Sequence, residues 1–504
     1  MREPQLVETH ISWVLLSGDY AYKIKKPVDL GFLDFSTPDK RRFYCEEELR
    51  LNSRLAPDIY LEVVPVTGTP ESPAIQGEGP VVDHAVKMRQ FPQEGLLDRR
   101  LEQGLVRAAD IDHMAAVVAA FHRDIPAAHG DGGKGNPGGI LEPALENFRH
   151  LRAHTPDDLA PALETLERWT RDTFAALAGV FAARRAGGFV RECHGDMHLG
   201  NMAEVDGELR IFDGIEFSAA LRWIDVMSEA AFVMTDLNHR GRADFGWRFI
   251  NRYLEETADY DGLAVLAFYR VYRIMVRAKV AAIRLEQLSP DSEEWRADKA
   301  EVERYVAQAL GVTAAPEPTL ILTRGVSGSG KSWLSQGLVE HLGAVRLRSD
   351  VERKRLFGLA RDADSGALPG AGIYTPEAGR RTFEQLRVQA RGVLRAGLTA
   401  IVDATFLATA HRRPFLELAA AEGVPCLVLD VTLDPDTARR RVEERAARGD
   451  DPSEAGVEVL ERQLADYAPL EKEKGARVLG IDGASPPAPE ALATAVRARL
   501  EAFT

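Results

Sequence analysis

The mostly apolar stretch 11–16 and the Tyr-, Ile- and Lys-containing stretch 20–26, with the turn Ser17-Gly18-Asp19 between them, predict a β-hairpin. Alternation puts Ala21, Lys23 and Lys25 on one face of the second strand. The pattern then turns helical over 38–55, where Cys45, Leu49, Leu51 and Leu55 form an apolar face with Glu48 near its centre and Glu46 and Glu47 outside it. A carboxylate in the middle of a core-facing stripe needs a cationic partner, because burying it unpaired is costly. Lys23 and Lys25 are the candidates. A further strand is predicted over 81–91. Residues 96–188 then keep a helical rhythm, as in Ile111, Met114, Ala115, Val118 and Phe121. Strands return at 189–193 and 209–212.

The second half reads differently. Short, continuous apolar runs at 319–323, 399–403 and 427–431 are of the fully buried strand type, separated by helical stretches, which predicts a parallel α/β sheet. Trp333, Leu334, Gly337, Leu338, His341 and Leu342 recur at helical spacing, and a helix is predicted over 435–449. The stretch 312–318, small and proline-containing, reads as a linker. It divides a domain of residues 1–311, with a small lobe at about 1–92 and a large lobe at about 93–311, from a second domain at 319–504. Two loops stand out, 126–139 with six glycines and 362–372, as surface connections of the kind that also serve as lids. The chain shows no internal repeat.

Composition narrows the class. At 504 residues, with 45% hydrophobic and 28% charged positions, the chain has the make-up of soluble globular domains. No apolar run approaches a membrane span, and the first residues do not form a signal peptide. Cys45, Cys193 and Cys426 have neither metal-ligand nor disulfide-framework spacing, so a reducing cytoplasm is expected. The net charge of −14 is unevenly spread. Residues from Thr319 onward carry 26 Lys+Arg against 26 Asp+Glu, and those before it 37 against 51. The acidic excess argues against nucleic-acid binding by the first half and leaves the question open for the second.

Candidate chemistry is sharpest at Gly325-Val326-Ser327-Gly328-Ser329-Gly330-Lys331-Ser332, a G-x-x-x-x-G-K-[ST] run between a predicted strand and a predicted helix. In that context the glycines let Gly325, Ser327, Gly328, Ser329 and Gly330 curl backbone N–H groups around phosphates, with the helix N-terminus adding partial positive charge. Lys331 reaches the β- and γ-phosphates, and Ser332 ligates Mg²⁺. A nucleoside triphosphate site is therefore expected here, ATP with Mg²⁺.

A second constellation lies in the first half: His194-x-Asp196-x-x-x-x-Asn201, followed by Asp213 at a strand end. Phosphoryl transfer needs a carboxylate to accept a hydroxyl proton, oxygen donors for Mg²⁺, and a cation on the α/β-phosphates. Asp196 suits the first role, Asn201 and Asp213 the second, and Lys23 fixed by Glu48 the third. Together with the 20–24 strand, these residues resemble the aminoglycoside phosphotransferase family, relatives of the protein kinases, over roughly residues 5–310. The resemblance implies an α+β bilobal kinase-like domain with its own ATP·Mg²⁺ site. His194 would shape the loop, His198 is a second structural histidine, and Asp225 would brace the loop from below. Two features depart from the pattern. Residues 8–12 replace a glycine-rich loop, and Asp213-Gly214-Ile215-Glu216 replaces Asp-x-Glu. Arg270, Arg273, Arg277 and Arg284 form a basic stripe, either a solvated helix face or the lining of a cleft for an anionic acceptor.

In the second half, Asp350 is expected at a strand end beside the P-loop as the base for an acceptor hydroxyl, with a helix N-cap as the alternative. Asp403 ends another strand and would hold Mg²⁺ through water. The 435–449 helix carries Arg439, Arg440, Arg441, Arg445 and Arg448 and reads as a lid, with Arg441 and Arg445 as the candidates to close on the nucleotide. Arg348-Ser349-Asp350 and Asp403-Ala404-Thr405 resemble the P-loop kinases grouped with zeta toxins, gluconate kinase and polynucleotide kinase. The whole chain resembles bacterial fusions of the two domain types. The resulting expectation is a tandem ATP-dependent kinase acting on hydroxyl groups of small molecules. Alternatives are that one domain only binds ATP in a regulatory role, or that the second phosphorylates nucleic-acid 5′-hydroxyl ends.

Overall fold

The predicted hairpin forms, within a larger sheet. In the computed structural model β1 (Gln5–Glu8), β2 (Ser12–Ser17), β3 (Tyr20–Lys25), β4 (Tyr60–Thr69), β5 (Ser72–Ile75) and β6 (Val81–Arg89) form one antiparallel sheet in the order β1-β2-β3-β6-β4-β5. Lys23 sits opposite Val14 on one side and Val86 on the other. The structure describes residues 4–31, 33–69, 71–128, 135, 138–290, 292–314, 317–367, 370–448, 452–468, 470 and 475–501. Much of the 126–139 loop therefore lies outside the described residues, as do 368–369 of the second loop and residue 449 of the predicted lid.

Contacts divide the chain into two units, Met1–Asp236 with Tyr272–Glu303, and Leu237–Val271 with Arg304–Thr504. This is not a single cut at 312–318, because residues 237–271 group with the P-loop half.

In the first unit, helix Pro38–Asn52 packs on β4 and β6. The side chain of Thr37 caps it by accepting from Lys40 N, and proline occupies its first turn. Its core is Cys45, Ala56, Ile59, Tyr60 and Val86. The helix ends at Asn52, three residues before the predicted limit, and Leu55 lies in the turn that follows. The helical portion contains Leu97–Glu102, Ala108–Asp124, Gly138–His154, Ala160–Ala176 and Ala178–Ala186. Ile111, Met114, Ala115, Val118 and Phe121 are all buried. Two small ladders carry the polar loops: β7 (Val190–Glu192), β8 (Met202–Val205), β9 (Glu208–Ile211) and β10 (Trp223–Asp225) pair as β7 with β10 and β8 with β9. An antiparallel sheet with one packed helix, followed by helices and two short hairpin-like ladders, is the α+β kinase-like arrangement.

The second unit is a wholly parallel sheet of β11 (Leu320–Arg324), β12 (Val345–Arg348), β13 (Ala400–Asp403), β14 (Cys426–Thr432) and β15 (Arg477–Asp482), ordered β12-β13-β11-β14-β15. Ile321, Ile401, Leu427 and Leu429 pack with Leu334, Leu338, Leu492 and Val496. The outer edge of β12 is closed by helix Ala243–Thr257. Asn251 Nδ2 donates to Ala344 O at 2.9 Å, and Arg346 N donates to Asn251 Oδ1 at 2.7 Å, so one carboxamide takes the place of a neighbouring strand. Glu255 adds ion pairs to Arg346 and Arg361, and Tyr260 donates to Glu352. Among the described residues no helix is long and apolar enough to cross a membrane.

Candidate active sites

The loop after β7 owes its shape to acids on helix Val226–His239. Glu229 accepts from His194 N at 3.2 Å and Gly195 N at 2.6 Å, and Asp236 accepts from Leu199 N at 2.9 Å. His122 donates to Glu229 at 2.9 Å. Burial opposes the charge on Glu229, but His122, His194 and the loop amide outweigh it and hold the carboxyl down at about 2. The expected brace, Asp225, is engaged elsewhere: it clamps the buried Arg184 at 2.6 and 2.8 Å. Its place in β10, at the end of a sheet pair, directs it there. Arg273 donates to Gly195 O at 3.0 Å from the other side.

His194 Nε2 donates to Phe212 O at 2.9 Å, tying this loop to the one that follows β9. His198 Nδ1 accepts from Gly200 N at 3.1 Å, and its other nitrogen lies 3.5 Å from Asp196 Oδ2, beyond a good hydrogen bond. Asn201 Nδ2 donates to both the backbone and the carboxylate of Asp196, at 2.9 and 3.2 Å. The Asp196 carboxylate remains 38% exposed, available to a substrate. Its recessed setting disfavours charge, yet His198, His194 and Arg277 hold it well below the usual carboxylate range.

Asp213 adopts φ 61°, a left-handed conformation that aspartate tolerates better than most residues. Its N–H donates to Tyr60 Oη and that of Gly214 to Asn52 Oδ1, so two small-lobe residues fix the turn. The carboxylate is 53% exposed and lies 2.7 Å from Lys23 Nζ. Lys23 in turn lies 2.8 Å from Glu48 Oε1, while Lys25 Nζ takes Glu48 Oε2 at 2.7 Å and pairs with Glu216 as well. Glu48 thus serves both lysines, Lys23 toward the cleft and Lys25 wholly buried. Burial disfavours the Glu48 charge, but the two ammonium groups prevail and hold it at about 2. Burial, reinforced by the neighbouring Glu48 charge, pushes Glu216 up.

The remaining departures also have physical reasons. Thr9 Oγ1 donates to Ser12 O and accepts from Ser12 N, closing the β1–β2 turn on itself. The basic stripe is a solvated face only at its far end, where Arg284 is exposed. Arg273 is buried, Arg270 is desolvated beside Trp247 and pushed down to about 10, and Arg284 pairs with Asp298. Asn201 and Asp213 are a hard, oxygen-only donor pair suited to Mg²⁺.

In the second unit the P-loop joins β11 to helix Lys331–Leu338. Gly325 has φ 147°, and a Cβ there would lie 2.4 Å from Val431 O, so only glycine fits. At Gly330, φ 98°, a Cβ would meet nothing nearer than Arg441 Nη1 at 3.7 Å, leaving room above the helix N-terminus for phosphate. Lys331 Nζ donates to Val326 O at 2.7 Å, and burial pushes it down to about 8 against the pull of Asp403 and Asp350. Ser327 N donates to Gln463 Oε1 at 2.7 Å. Ser332, Asp350, Asp403, Arg441 and Arg445 line one cleft of about 1000 Å³ with Ser327, Gly328, Gly330 and Lys331. Ser335 Oγ donates to Asp403 Oδ2 at 3.1 Å. Ser332 and Asp403 offer further hard oxygen donors beside Lys331, again a set that Mg²⁺ fits.

β12 ends at Arg348, and Asp350 stands in the first turn of helix Ser349–Leu356, where the helix dipole favours its charge. Arg441 donates to Gly483 O at 3.0 Å and Arg445 to Ala455 O at 2.6 Å, while Arg439 faces away to Asp436 and Glu461. Sequence reasoning missed Arg353, Tyr374 and Glu454, which also line the cleft. Glu454 accepts from Tyr374 at 3.0 Å and pairs with Lys354 at 2.9 Å, and the Arg353 guanidinium lies 5.1 Å from the Tyr374 ring. Arg353 comes from helix Ser349–Leu356, Tyr374 from a short 3-10 turn and Glu454 from a loop, and no local pattern links them.

Residues 320–470 match the family described as an AAA domain. Uncharacterized proteins of Mycobacterium tuberculosis and Mycobacterium bovis are 28% identical over 461 residues, covering 91% of this chain and 90% of theirs. Solved structures that resemble the chain include a putative kinase from Chloroflexus aurantiacus, with 21% identity, 37% of this chain and 100% of the other covered, and TM-score 0.31. A choline/ethanolamine kinase family protein from Mesorhizobium loti has 13% identity, 63% and 90% coverage, and TM-score 0.38. An amicoumacin kinase has 14% identity, 61% and 88% coverage, and TM-score 0.39. The AAA-domain match falls on the unit that holds the glycine loop and the five-stranded parallel sheet.

Proposed function

We propose that the chain is a tandem ATP-dependent kinase with one phosphoryl-transfer site per unit, each acting on a hydroxyl group of a small molecule. The observation that carries this reading is that each unit holds a complete set of groups for the reaction. In the first, Asp196 is oriented by Asn201 while Lys23 spans Glu48 and Asp213. In the second, Lys331, Ser332, Asp350 and Asp403 share one cleft.

Asp196 and Asp350 orient an acceptor hydroxyl and take its proton as its oxygen bonds to the γ-phosphorus and the bond from that phosphorus to the bridging oxygen breaks, releasing ADP. The depressed pKa of Asp196 suits orientation and late proton acceptance better than early abstraction. Lys23 and Lys331 hold the phosphates, and Arg441 and Arg445 close on them. Mg²⁺, held by Asn201 and Asp213 in one site and by Ser332 and Asp403 in the other, would supply neutralisation of the phosphate charge. Arg277 beside Asp196, and Arg353 about 4.0 Å from Asp350, favour anionic acceptors.

The full chain tests this. Radiolabelled ATP is supplied with sugars, nucleosides, amino alcohols, aminoglycosides and 5′-hydroxyl oligonucleotides, using wild type, Asp196→Asn and Asp350→Asn. Each variant is expected to lose phosphorylation of its own acceptor by roughly two to four orders of magnitude while nucleotide binding persists. If Asp196→Asn leaves every product of the wild type undiminished, the first unit is a binding module and the tandem reading fails.

A further inference from the structure

We propose that His150, His154 and Glu286 form a binding site for a late first-row divalent cation, with zinc the best fit. His150 and His154 occupy the last turn of helix Gly138–His154, and their i, i+4 spacing puts both rings on one face with centroids 4.3 Å apart. Glu286 follows directly on helix Leu263–Leu285. Its Oε1 lies 2.7 Å from His154 Nδ1 and 3.6 Å from His150 Nε2. One ligand atom from each of the three residues falls within 4.8 Å of the others. Zinc bonds of about 2.0–2.2 Å place tetrahedral ligands roughly 3.3–3.6 Å apart, so a small shift of the carboxylate admits the ion.

Another such group, His122, Cys193 and Glu229, shows what a saturated cluster looks like. There Glu229 accepts from His122, His194 N and Gly195 N, and Cys193 Sγ donates to Ile224 O. By contrast, His150 Nε2 is a buried nitrogen with no hydrogen-bond partner, which native interiors rarely leave. The three side chains are 27%, 33% and 41% exposed, so an ion has an entry path and water can take the fourth position. Two imidazoles and one carboxylate select zinc, cobalt or nickel over magnesium, which prefers an all-oxygen shell. Bound there, the cation ties the end of one helix to the end of the helix that carries Arg273, the residue that donates to Gly195 O of the Asp196 loop.

The full chain, freed of metal by dialysis against a chelator, is titrated with Co²⁺ and then with Zn²⁺. The expected result is a visible absorption band of nitrogen- and oxygen-ligated cobalt that zinc displaces, together with a rise in the thermal midpoint on zinc addition. His154→Gln and Glu286→Gln should each abolish the band and the rise, with thermal midpoints in chelator equal to wild type as the check on folding. His150→Ala serves as an independent third variant should either of the others misfold. Absence of the band in wild type, or a band of equal strength in the folded variants, overturns the site.

Discussion

Replacing Glu48 by glutamine probes the most heavily charged point of the small lobe. Glu48 is fully buried, and each of its oxygens holds one ammonium, Lys23 at 2.8 Å and Lys25 at 2.7 Å. A glutamine keeps the size and one acceptor oxygen but turns an N–H₂ group toward the other lysine. Breaking a buried ion pair costs about 3–5 kcal/mol, and the retained acceptor places this change near the lower end, about 3 kcal/mol. For a unit of this size that corresponds to roughly 6–12 °C in the midpoint of its thermal transition. The pH dependence follows from the folded-state value of about 2. An unfolded glutamate titrates near about 4.3, so the stabilisation is fully present above that pH and is lost as pH falls from about 4.3 toward 2. Scanning calorimetry of the full chain at several pH values reads both effects. Double-mutant cycles with Lys23→Met and Lys25→Met should show coupling to Glu48 for both lysines, larger for Lys25, whose side chain is 0% exposed against 14% for Lys23. A loss below about 1 kcal/mol, a loss that does not shrink on acidification, or coupling to one lysine alone refutes the reasoning.

Two further outcomes follow from the second unit. Lys331 is held at about 8 by burial, so an incoming phosphate should raise its pKa and draw in a proton. Nucleotide affinity at this site should then be flat below pH 8 and fall roughly tenfold per unit above it. Calorimetric titration at pH 8 in buffers of different ionisation heat should show proton uptake that Lys331→Met removes, and equal heats in wild type and variant would contradict it. Asn251→Ala leaves Ala344 O and Arg346 N at the edge of β12 without their carboxamide partners, at a cost of about 2–4 kcal/mol. The readout is hydrogen exchange at the Arg346 amide in the full chain, and unchanged protection there would show that water or a shifted helix replaces the carboxamide.

How much of this was legible in the sequence depended on whether the determining interactions are local. The hairpin of β2 and β3, the parallel strands and the P-loop rest on a turn between two strand-like stretches, apolar runs and glycine spacing, all within a few residues. Glu48 declared its need for a partner because a carboxylate in an apolar helical stripe is anomalous, but the sequence offered two lysines, and the fold uses both. Asp350 fell within two residues of its predicted strand end because the change from β12 to helix is a matter of backbone termini, the least determinate feature of a pattern. The role expected of Asp225 belongs to Glu229 and Asp236, which sit seven positions apart on one helix and meet a loop more than thirty residues earlier. Spacing on the helix shows that they share a face, but not what that face meets. The same limit applies to residues 237–271, whose polar side chains, Asn251 and Glu255, have their partners in β12. Composition alone draws a boundary at the proline-containing stretch and cannot assign an earlier helix to a later sheet.

The departure of Asp213-Gly214-Ile215-Glu216 from the expected Asp-x-Glu has a charge argument behind it. Lys25 is wholly buried, and an ammonium so placed must be matched by carboxylates at hydrogen-bond distance. Glu48 meets it from helix Pro38–Asn52, and Glu216 meets it from the loop after β9. Two lysines and Glu48 of the small lobe therefore balance with Glu216 of the loop after β9, which is drawn inward, away from the cleft. Asp213 is the carboxylate left over. It is half exposed, held in a left-handed turn by Tyr60 and Asn52, and shares Lys23 with Glu48. A surplus negative charge at the mouth of an otherwise neutral cluster is a place where a divalent cation accompanied by phosphates lowers the energy of both. Glu216, in contrast, has its charge opposed by burial and its oxygen already engaged, so it is poorly suited to a second ion. Under the proposed function this arrangement would favour a single cation shared by Asp213 and Asn201, with Lys23, the lysine next to Asp213, as the one that would meet the phosphates.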